Sequence, residues 1–435
     1  MTARLDVLGA PCFVEAAHAI PLVGVVVSIR TGSQHDPEGM DGLARVMLRM
    51  LRRGCAGYDA QRLEERIDVL GSELGMVASA STLTLHGRVI KPNAAAFCDL
   101  LASMLGAPTF TDEEVGRLLR ETAAELTEAR DSDPALAHIA FRRAVFGGEH
   151  PFGRGSSGRI STVARIDADA VRAFHRAHVL RSNVVLGFSG DVTEAEAGAL
   201  SHRILGALAD GPHPPDAILP PPVARGRRLV FVDKPARTQT QILCGGLGTH
   251  PHDPDHVALA AGTAIFGGTF TSRLMKEVRS KRGWSYGASA RVAIERARHA
   301  FTMGTFPAAT DAAACLALEI DLLERWVRGG VTPREVAFIK KFLTRSHAFD
   351  VDTPSKRLHE ALDVELLHLP ATYHSGYLDH VRGITKDAVD QAVTTRISTD
   401  DLTIVVVGTA RDILDAVKAA VPALASTEVL PFDRD

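Results

Sequence analysis

The chain has 435 residues, too many for one ordinary hydrophobic core, so two or more domains are expected. Hydrophobic residues make up 46% and charged residues 23%, the balance of a globular protein rather than a disordered one. The net charge of −3 argues against a nucleic-acid binder, and no apolar run reaches the roughly 18 residues of a membrane-spanning helix.

Asp6, Pro11, Glu15 and His18 interrupt the apolar core that a signal peptide needs, which leaves the cytoplasm as the default location. The cysteines, Cys12, Cys55, Cys98, Cys244 and Cys315, are odd in number and widely spaced, with no C-x-x-C pair. They read as reduced, mostly buried thiols, not as a disulfide frame or a cysteine zinc site.

In chain order, a strand is expected over Val23 to Arg30, followed by a loop carrying Asp36-Pro37-Glu38-Gly39. Helices are expected near Leu43 to Leu51 and from about Tyr58 to Leu70, then an alternating strand from Ser79 to Val89. Helices follow near Ala94 to Leu105 and Thr111 to Arg130. The second opens with Thr111 and, three residues on, Glu114, a capping box. A further helix leads to His150-Pro151, and a helix from Ala168 precedes the strand Val184 to Ser189.

A Pro-rich stretch, Gly211 to Arg228, resists helix and central strand and reads as an extended linker between domains 1–210 and 229–435. The second half repeats the first. Thr332-Pro-Arg-Glu-Val336 matches Thr111-Asp-Glu-Glu-Val115 (332 − 111 = 221), and the segment from Ile384 to Val389 matches Ile166 to Val171 (384 − 166 = 218). The strand Leu402 to Val407 matches Val184 to Ser189 at the same 218 (402 − 184 = 218). A nearly constant offset predicts two homologous α+β domains, each an antiparallel sheet covered by helices on one side.

The stretch Phe266 to Arg291 stands out. A Gly267-Gly268 pair, expected to be flexible, precedes Phe270, Leu274 and Val278, which share one face at helical spacing. Arg279 closes that run, Gly283 breaks it, and Trp284 and Tyr286 lead into a strand. Arg279 and Tyr286 therefore flank a turn, close enough to reach one cleft, and both are good donors for a peptide carbonyl or a developing oxyanion. The plain alternative is a surface Arg and a half-buried strand Tyr.

This stretch resembles the second-domain signature of the pitrilysin-type (insulinase-type) zinc metallopeptidases, a family that includes processing peptidases and paired bacterial peptidases. The resemblance implies that Arg279 and Tyr286 hold substrate backbone near a metal, and that Gly267 and Gly268 help bind substrate. It also implies a two-domain chain forming half of a clamshell. The family's inverted zinc motif, H-x-x-E-H, falls on Gly42-Leu43-Ala44-Arg45-Val46-Met47-Leu48-Arg49. Arg45 and Arg49 take the two His positions and Leu48 takes the Glu position. A guanidinium has no acceptor lone pair and leucine cannot act as a base, so no metal ligand is expected in this chain. The third-ligand position is Glu125 or Leu126, and Arg45 or Arg49 is expected to pair with Glu121, Glu125 or Glu128 unless both face solvent.

Other histidines carry little. His250, His252 and His256 lie in a Pro-broken loop, read as a solvated turn, and His359, His86 and His138 lack ligand-type neighbours at useful spacing. The expectation is a non-catalytic, substrate-binding subunit of a heterodimeric peptidase. Zinc and base would come from a homologous zinc-motif-bearing partner, and the substrate would be a peptide. The alternative is an inactive homologue that binds peptide or assists assembly, for instance in maturing a peptide cofactor precursor. An active homodimer is disfavoured by Arg45, Leu48 and Arg49.

Overall fold

The computed structural model describes residues 2–212, 215 and 220–435. Its strands in chain order are β1 (Ala3–Val7), β2 (Ala10–Ala16), β3 (Leu22–Ile29), β4 (Gly54–Cys55), β5 (Tyr58–Asp59), β6 (Ser72–Ala78), β7 (Leu83–Ile90) and β8 (Val184–Gly190). The second half supplies β9 (Arg227–Asp233), β10 (Gln241–Leu247), β11 (Ala288–Val292), β12 (Ala300–Thr305), β13 (Thr403–Gly408) and β14 (Leu424–Pro431).

One six-stranded sheet has the order β1-β2-β8-β3-β7-β6 and the other β14-β9-β13-β10-β12-β11, while β4 and β5 form a small ribbon. The two orders correspond strand for strand, as the sequence repeat requires, except at one edge. There the first sheet uses the chain's N-terminal strand, antiparallel to its neighbour, and the second uses β14, parallel to its neighbour. The expectation of antiparallel sheets holds only in part, since β2 and β8 run parallel, as do β13 and β9.

Two compact units form, and neither is contiguous. The first comprises Met1–Thr127, Gly155–Ile218 and Ala348–His368, and the second Glu128–Arg154, Leu219–His347 and Leu369–Asp435. Each unit therefore takes a helix from the other half of the sequence. In the first, the Pro354–Leu366 helix lies on β2 and β8, with Leu358, Leu362 and Leu366 against Phe13, Val26 and Val185. A Cβ on Gly187 of β8 would sit 3.1 Å from Leu358 and Leu362, so glycine lets the helix approach this closely. In the second unit the Asp133–Phe146 helix lies against β9, β10 and β13. Buried Lys234 anchors its start, donating to the carbonyls of Arg130 (2.9 Å) and Asp131 (2.8 Å) and to Asp133 (2.8 Å). Helices on one side only is thus corrected, because the central strands are covered on both faces.

The strand patterns follow from that cover. β8 (VVLGFSG) and β13 (TIVVVG) are buried almost throughout, as strands sandwiched between helices must be. β7 (LTLHGRVI) alternates, since one of its faces is wet. The expected strand from Ser79 to Val89 starts only at Leu83, as the second arm of a hairpin. Residues 79–82 turn, with Ser79 Oγ accepting the Ser81 (3.1 Å) and Thr82 (2.9 Å) amides, and β6 precedes them. Of the expected linker, residues 213, 214 and 216–219 lie outside the described residues, and Arg227 and Arg228 already belong to β9. All five thiols are free and buried.

The second core holds one acid. Glu319, on the Ala312–Gly329 helix, is fully buried, and its carboxyl has the Thr305 hydroxyl nearby but no well-formed hydrogen bond among the described residues. Burial raises its pKa from 4.5 to about 8. The native state holds the proton while the unfolded chain releases it. Its contribution is therefore fully present below about 4.5 and is lost as pH rises toward about 8. Stability relative to Glu319→Gln should fall by about 1 kcal/mol per pH unit across that window and level off above it. Urea denaturation of both proteins at several pH values checks this, and a pH-independent difference would contradict it.

Candidate functional site

The zinc-motif segment forms the Leu43–Met50 helix, and its position is fixed from below. The buried Asp36 carboxylate accepts the Gly42 and Ala44 amides, both at 2.7 Å, satisfying the free N–H groups of the first turn. Gly42 takes φ +101, with Ser157 O 3.0 Å and Gly158 Cα 3.2 Å from where a Cβ would lie, so only glycine fits there. Leu43, Met47, Leu48 and Met50 are buried in the first core.

Arg45 and Arg49 turn toward the Asp112–Ala129 helix and meet one carboxylate. Arg45 Nη2 donates to Glu125 Oε2 at 2.9 Å, and Arg49 donates from Nη1 to Oε2 at 3.0 Å and from Nη2 to Oε1 at 2.7 Å. Arg49 also donates to Thr122 Oγ1 at 3.1 Å. Glu125 therefore faces the two positions, whereas Leu126 packs against the core. Glu121 goes instead to Arg53, and the solvent-facing alternative for the arginines fails, since their side chains are only 28% and 25% exposed. Burial pushes the Glu125 carboxyl up, but the hydrogen bonds and charges of Arg45 and Arg49 outweigh it and hold its pKa below 4.5. Two cations and one anion now fill the place where ligands would converge, and they contain no neutral nitrogen donor for a metal.

The second-domain stretch is built differently from its spacing. Two wide π-type turns, Ala264–Gly268 and Met275–Ser280, replace a continuous regular helix. Leu274 and Val278 are buried as expected, but Phe270 precedes the helical residues and is 70% exposed. Arg273 is clamped to Glu335 by two 2.8 Å hydrogen bonds and donates to the Gly330 carbonyl at 2.9 Å, tying the stretch to the start of the Pro333–Asp350 helix. Burial would raise the Glu335 pKa, yet Arg273 and Thr332 bring it down to about 2. The Thr332–Glu335 capping box is present, with Thr332 N donating at 2.7 Å and Glu335 N at 3.2 Å.

Arg279 and Tyr286 do come together. The guanidinium carbon lies 4.4 Å from the Tyr286 ring centroid and 4.9 Å from that of Phe270, so the cation is sandwiched between two aromatic faces. Neither Arg279 nor the Tyr286 hydroxyl has a side-chain hydrogen bond or ion pair among the described residues, and Tyr286 is 77% exposed. Phe270 is the member that sequence reasoning missed, because i, i+4 spacing assigned it to the buried face. Gly268 is exposed, but Gly267 is buried, and a Cβ on it would lie 2.5 Å from the Ala290 amide nitrogen. Of the pair expected to be flexible, Gly267 is packed against β11.

His256 is also corrected. It is buried at the start of the His256–Thr263 helix, within 2.9 Å of Thr249 Oγ1 and 3.2 Å of the Tyr373 hydroxyl, and burial brings its pKa to about 4. His250 stacks on His252 at 5.1 Å. His138 is half-buried, with its pKa lowered by burial and by Arg291 and Arg142. Exposed His86 lies beside Gly75, and His359 faces the carbonyl of Ser355.

The fold and the two signatures define a peptidase-type scaffold whose own inverted metal motif is replaced by arginine. Residues 13–150 match the insulinase (peptidase family M16) model, and residues 165–343 match the peptidase M16 inactive domain model. The chain belongs to the M16 peptidase family, as a homologue in which the zinc-motif residues are absent. A Rickettsia bellii protein named an uncharacterized zinc protease is 23% identical over 265 residues, 61% of this chain and 63% of that relative, so the match spans under two thirds of its length. A Helicobacter pylori protein named non-peptidase homolog YmxG is 20% identical over 401 residues, 91% of each chain. The crystal structure of a peptidase M16 inactive domain from Pseudomonas fluorescens shares the fold at a TM-score of 0.87 and 24% identity, over 94% of this chain and 98% of that one. No helix among the described residues is long and apolar enough to cross a membrane.

Glu125→Gln should lower stability by about 1 kcal/mol at neutral pH, a modest figure because the carboxylate is partly exposed. The carboxylate's contribution is present above the ordinary 4.5 and is lost as pH falls through its lowered value, so wild type and variant should converge in acid. Guanidinium denaturation at neutral and acid pH reads both. Gly267→Ala should cost about 1–3 kcal/mol, because a backbone atom must move to admit the methyl group, and a thermal melt measures it.

Proposed function

We propose that this chain is the substrate-binding, zinc-less subunit of a two-chain peptidase, and that it supplies Arg279 and Tyr286 to a metal site on a homologous partner carrying the inverted zinc motif. The observation that carries the reading is the state of Arg279. Its guanidinium is held by Phe270 and Tyr286 without an acid, so its N–H edges stay free to donate. Arg273, six residues away, and Arg45 and Arg49 of the first unit all have carboxylate partners. In such a complex the partner's zinc supplies Lewis-acid chemistry. Arg279 and Tyr286 donate to the scissile carbonyl and to the oxyanion it becomes, while the aromatic sandwich limits the positions the guanidinium can take. An extended peptide would pair along a sheet edge. Five unpaired thiols suit a reducing, cytoplasmic setting.

A second reading is an inactive homologue that binds peptide or supports assembly without contributing to chemistry, including carriage of a peptide cofactor precursor. It is favoured by the Helicobacter pylori relative, which is named a non-peptidase homolog and aligns over 91% of both chains. The test separates the two. The chain is purified alone and with a homologue that carries the zinc motif, and metal content and peptide cleavage are measured. The subunit reading expects zinc and turnover only in the pair, with kcat reduced about 10²-fold or more by Tyr286→Phe while assembly is unchanged. Unaltered turnover in that variant favours the second reading, and zinc-dependent cleavage by the lone chain contradicts both.

A further inference from the structure

We infer that the hollow beside Arg45 and Arg49 is a binding site for a peptide carboxylate. It lies within the first unit, between the Leu43–Met50 helix, the Ala60–Val69 helix and β6, and has a volume of about 500 Å³. That is the scale of a small-ligand site, enough for the end of a peptide and too little for a folded partner. Four guanidinium groups line it, those of Arg45, Arg49, Arg52 and Arg53, against the single lining acid Glu64.

The hydrogen bonds show which of these cations is available. Arg52 is fully engaged. Its Nε and Nη2 donate to Glu64 at 2.6 and 2.7 Å, and its Nη1 donates to the Leu74 carbonyl of β6 at 2.8 Å. Arg53 is held by Glu121, with Glu114 at 3.7 Å. Arg45 and Arg49 share one carboxylate, Glu125, so that group of three carries one excess positive charge. Arg45 uses only Nη2, and its Nε and Nη1 have no acceptor among the described residues. A guanidinium with a free edge, three-quarters removed from solvent and backed by a second cation, is complementary to a carboxylate, whose two oxygens match the fork.

The position selects the source of that carboxylate. β6 is the last strand of its sheet, and Met76 and Ala78 of β6 form part of the wall, so an extended peptide paired at this edge would bring its carboxylate within reach of Arg45. The inference shares with the proposed function only the class of ligand, a peptide. It requires neither zinc nor a partner.

Isothermal titration of the lone full-length chain at low salt tests it with three probes: N-acetyl hexa-alanine with a free C-terminus, the same peptide amidated, and the amide with one internal Glu. The free acid should bind at least about tenfold more tightly than the plain amide, as expected for one charge-assisted pair. Arg45→Gln should abolish that preference while Arg49 keeps its fork on Glu125. If that variant melts early, Arg45→Lys, which keeps the charge and loses the fork, should retain a several-fold weaker preference. Equal tightening by the internal Glu assigns the site to side-chain carboxylates as well as the C-terminus. Equal binding of all three peptides, binding of none, or an acid preference that survives Arg45→Gln overturns the inference. None of these outcomes depends on turnover by a Tyr286→Phe complex.

Discussion

A guanidinium brings hydrogen-bond donors and no lone pair, and at Glu125 two of them meet one carboxylate. The place of the inverted zinc motif is organised around that contact. The helix that carries the arginines is set by Asp36 and Gly42 and cannot move away, and the Asp112–Ala129 helix presents Glu125 to it. With histidine at positions 45 and 49 this geometry would gather ligands around a cation. With arginine the cations are covalent parts of the helix, and the electrostatic demand of the carboxylate is met internally. The scaffold keeps its shape without the ion because the hydrogen bonds of both guanidinium groups to Glu125 tie the two helices together.

The exchange of helices between the two halves is the other constraint, and it governs burial. Pro354–Leu366 covers β2 and β8, and Asp133–Phe146 covers β9, β10 and β13, each helix being supplied by the opposite half of the sequence. Central strands sealed on both faces must be apolar throughout, and this is why VVLGFSG and TIVVVG read as continuous hydrophobic runs. A duplicated sequence thus yields two similar sheets without yielding two independent spans.

Much of this was legible in the residues, and the misses have identifiable causes. The repeat, the helices at Leu43, Ala94, Thr111 and Ala168, the strands at Val23 and Val184, and the approach of Arg279 to Tyr286 follow from periodicity, capping and turn chemistry. β6 was missed because SELGMVA has few β-branched residues, and β7 was started too early because the Ser79 turn lacks glycine. Helical periodicity locates an apolar face but does not name the sheet it meets, so the exchanged helices were invisible. Glu125 and Leu126 were inseparable by spacing, since the deciding fact is which residue faces another helix. Phe270 was misplaced because an i, i+4 pattern assumes a regular helix, and two wide turns interrupt this one.

The same residue type ends in two opposite states, and the surroundings explain why. Arg49 lies in a wall with a carboxylate within 3 Å, so both its terminal nitrogens are engaged and it holds structure. Arg279 sits between two rings, which fix the position of a cation through their π-faces while leaving its in-plane N–H bonds unused. Aromatic faces are among the few neighbours that can hold a guanidinium without consuming its donors. A chain selected only for stability gains more from an acid at that point, as Arg273 and Glu335 show six residues away. Beside Arg279 no such acid stands among the described residues, and the guanidinium keeps its N–H edges, as the proposed role in binding substrate requires.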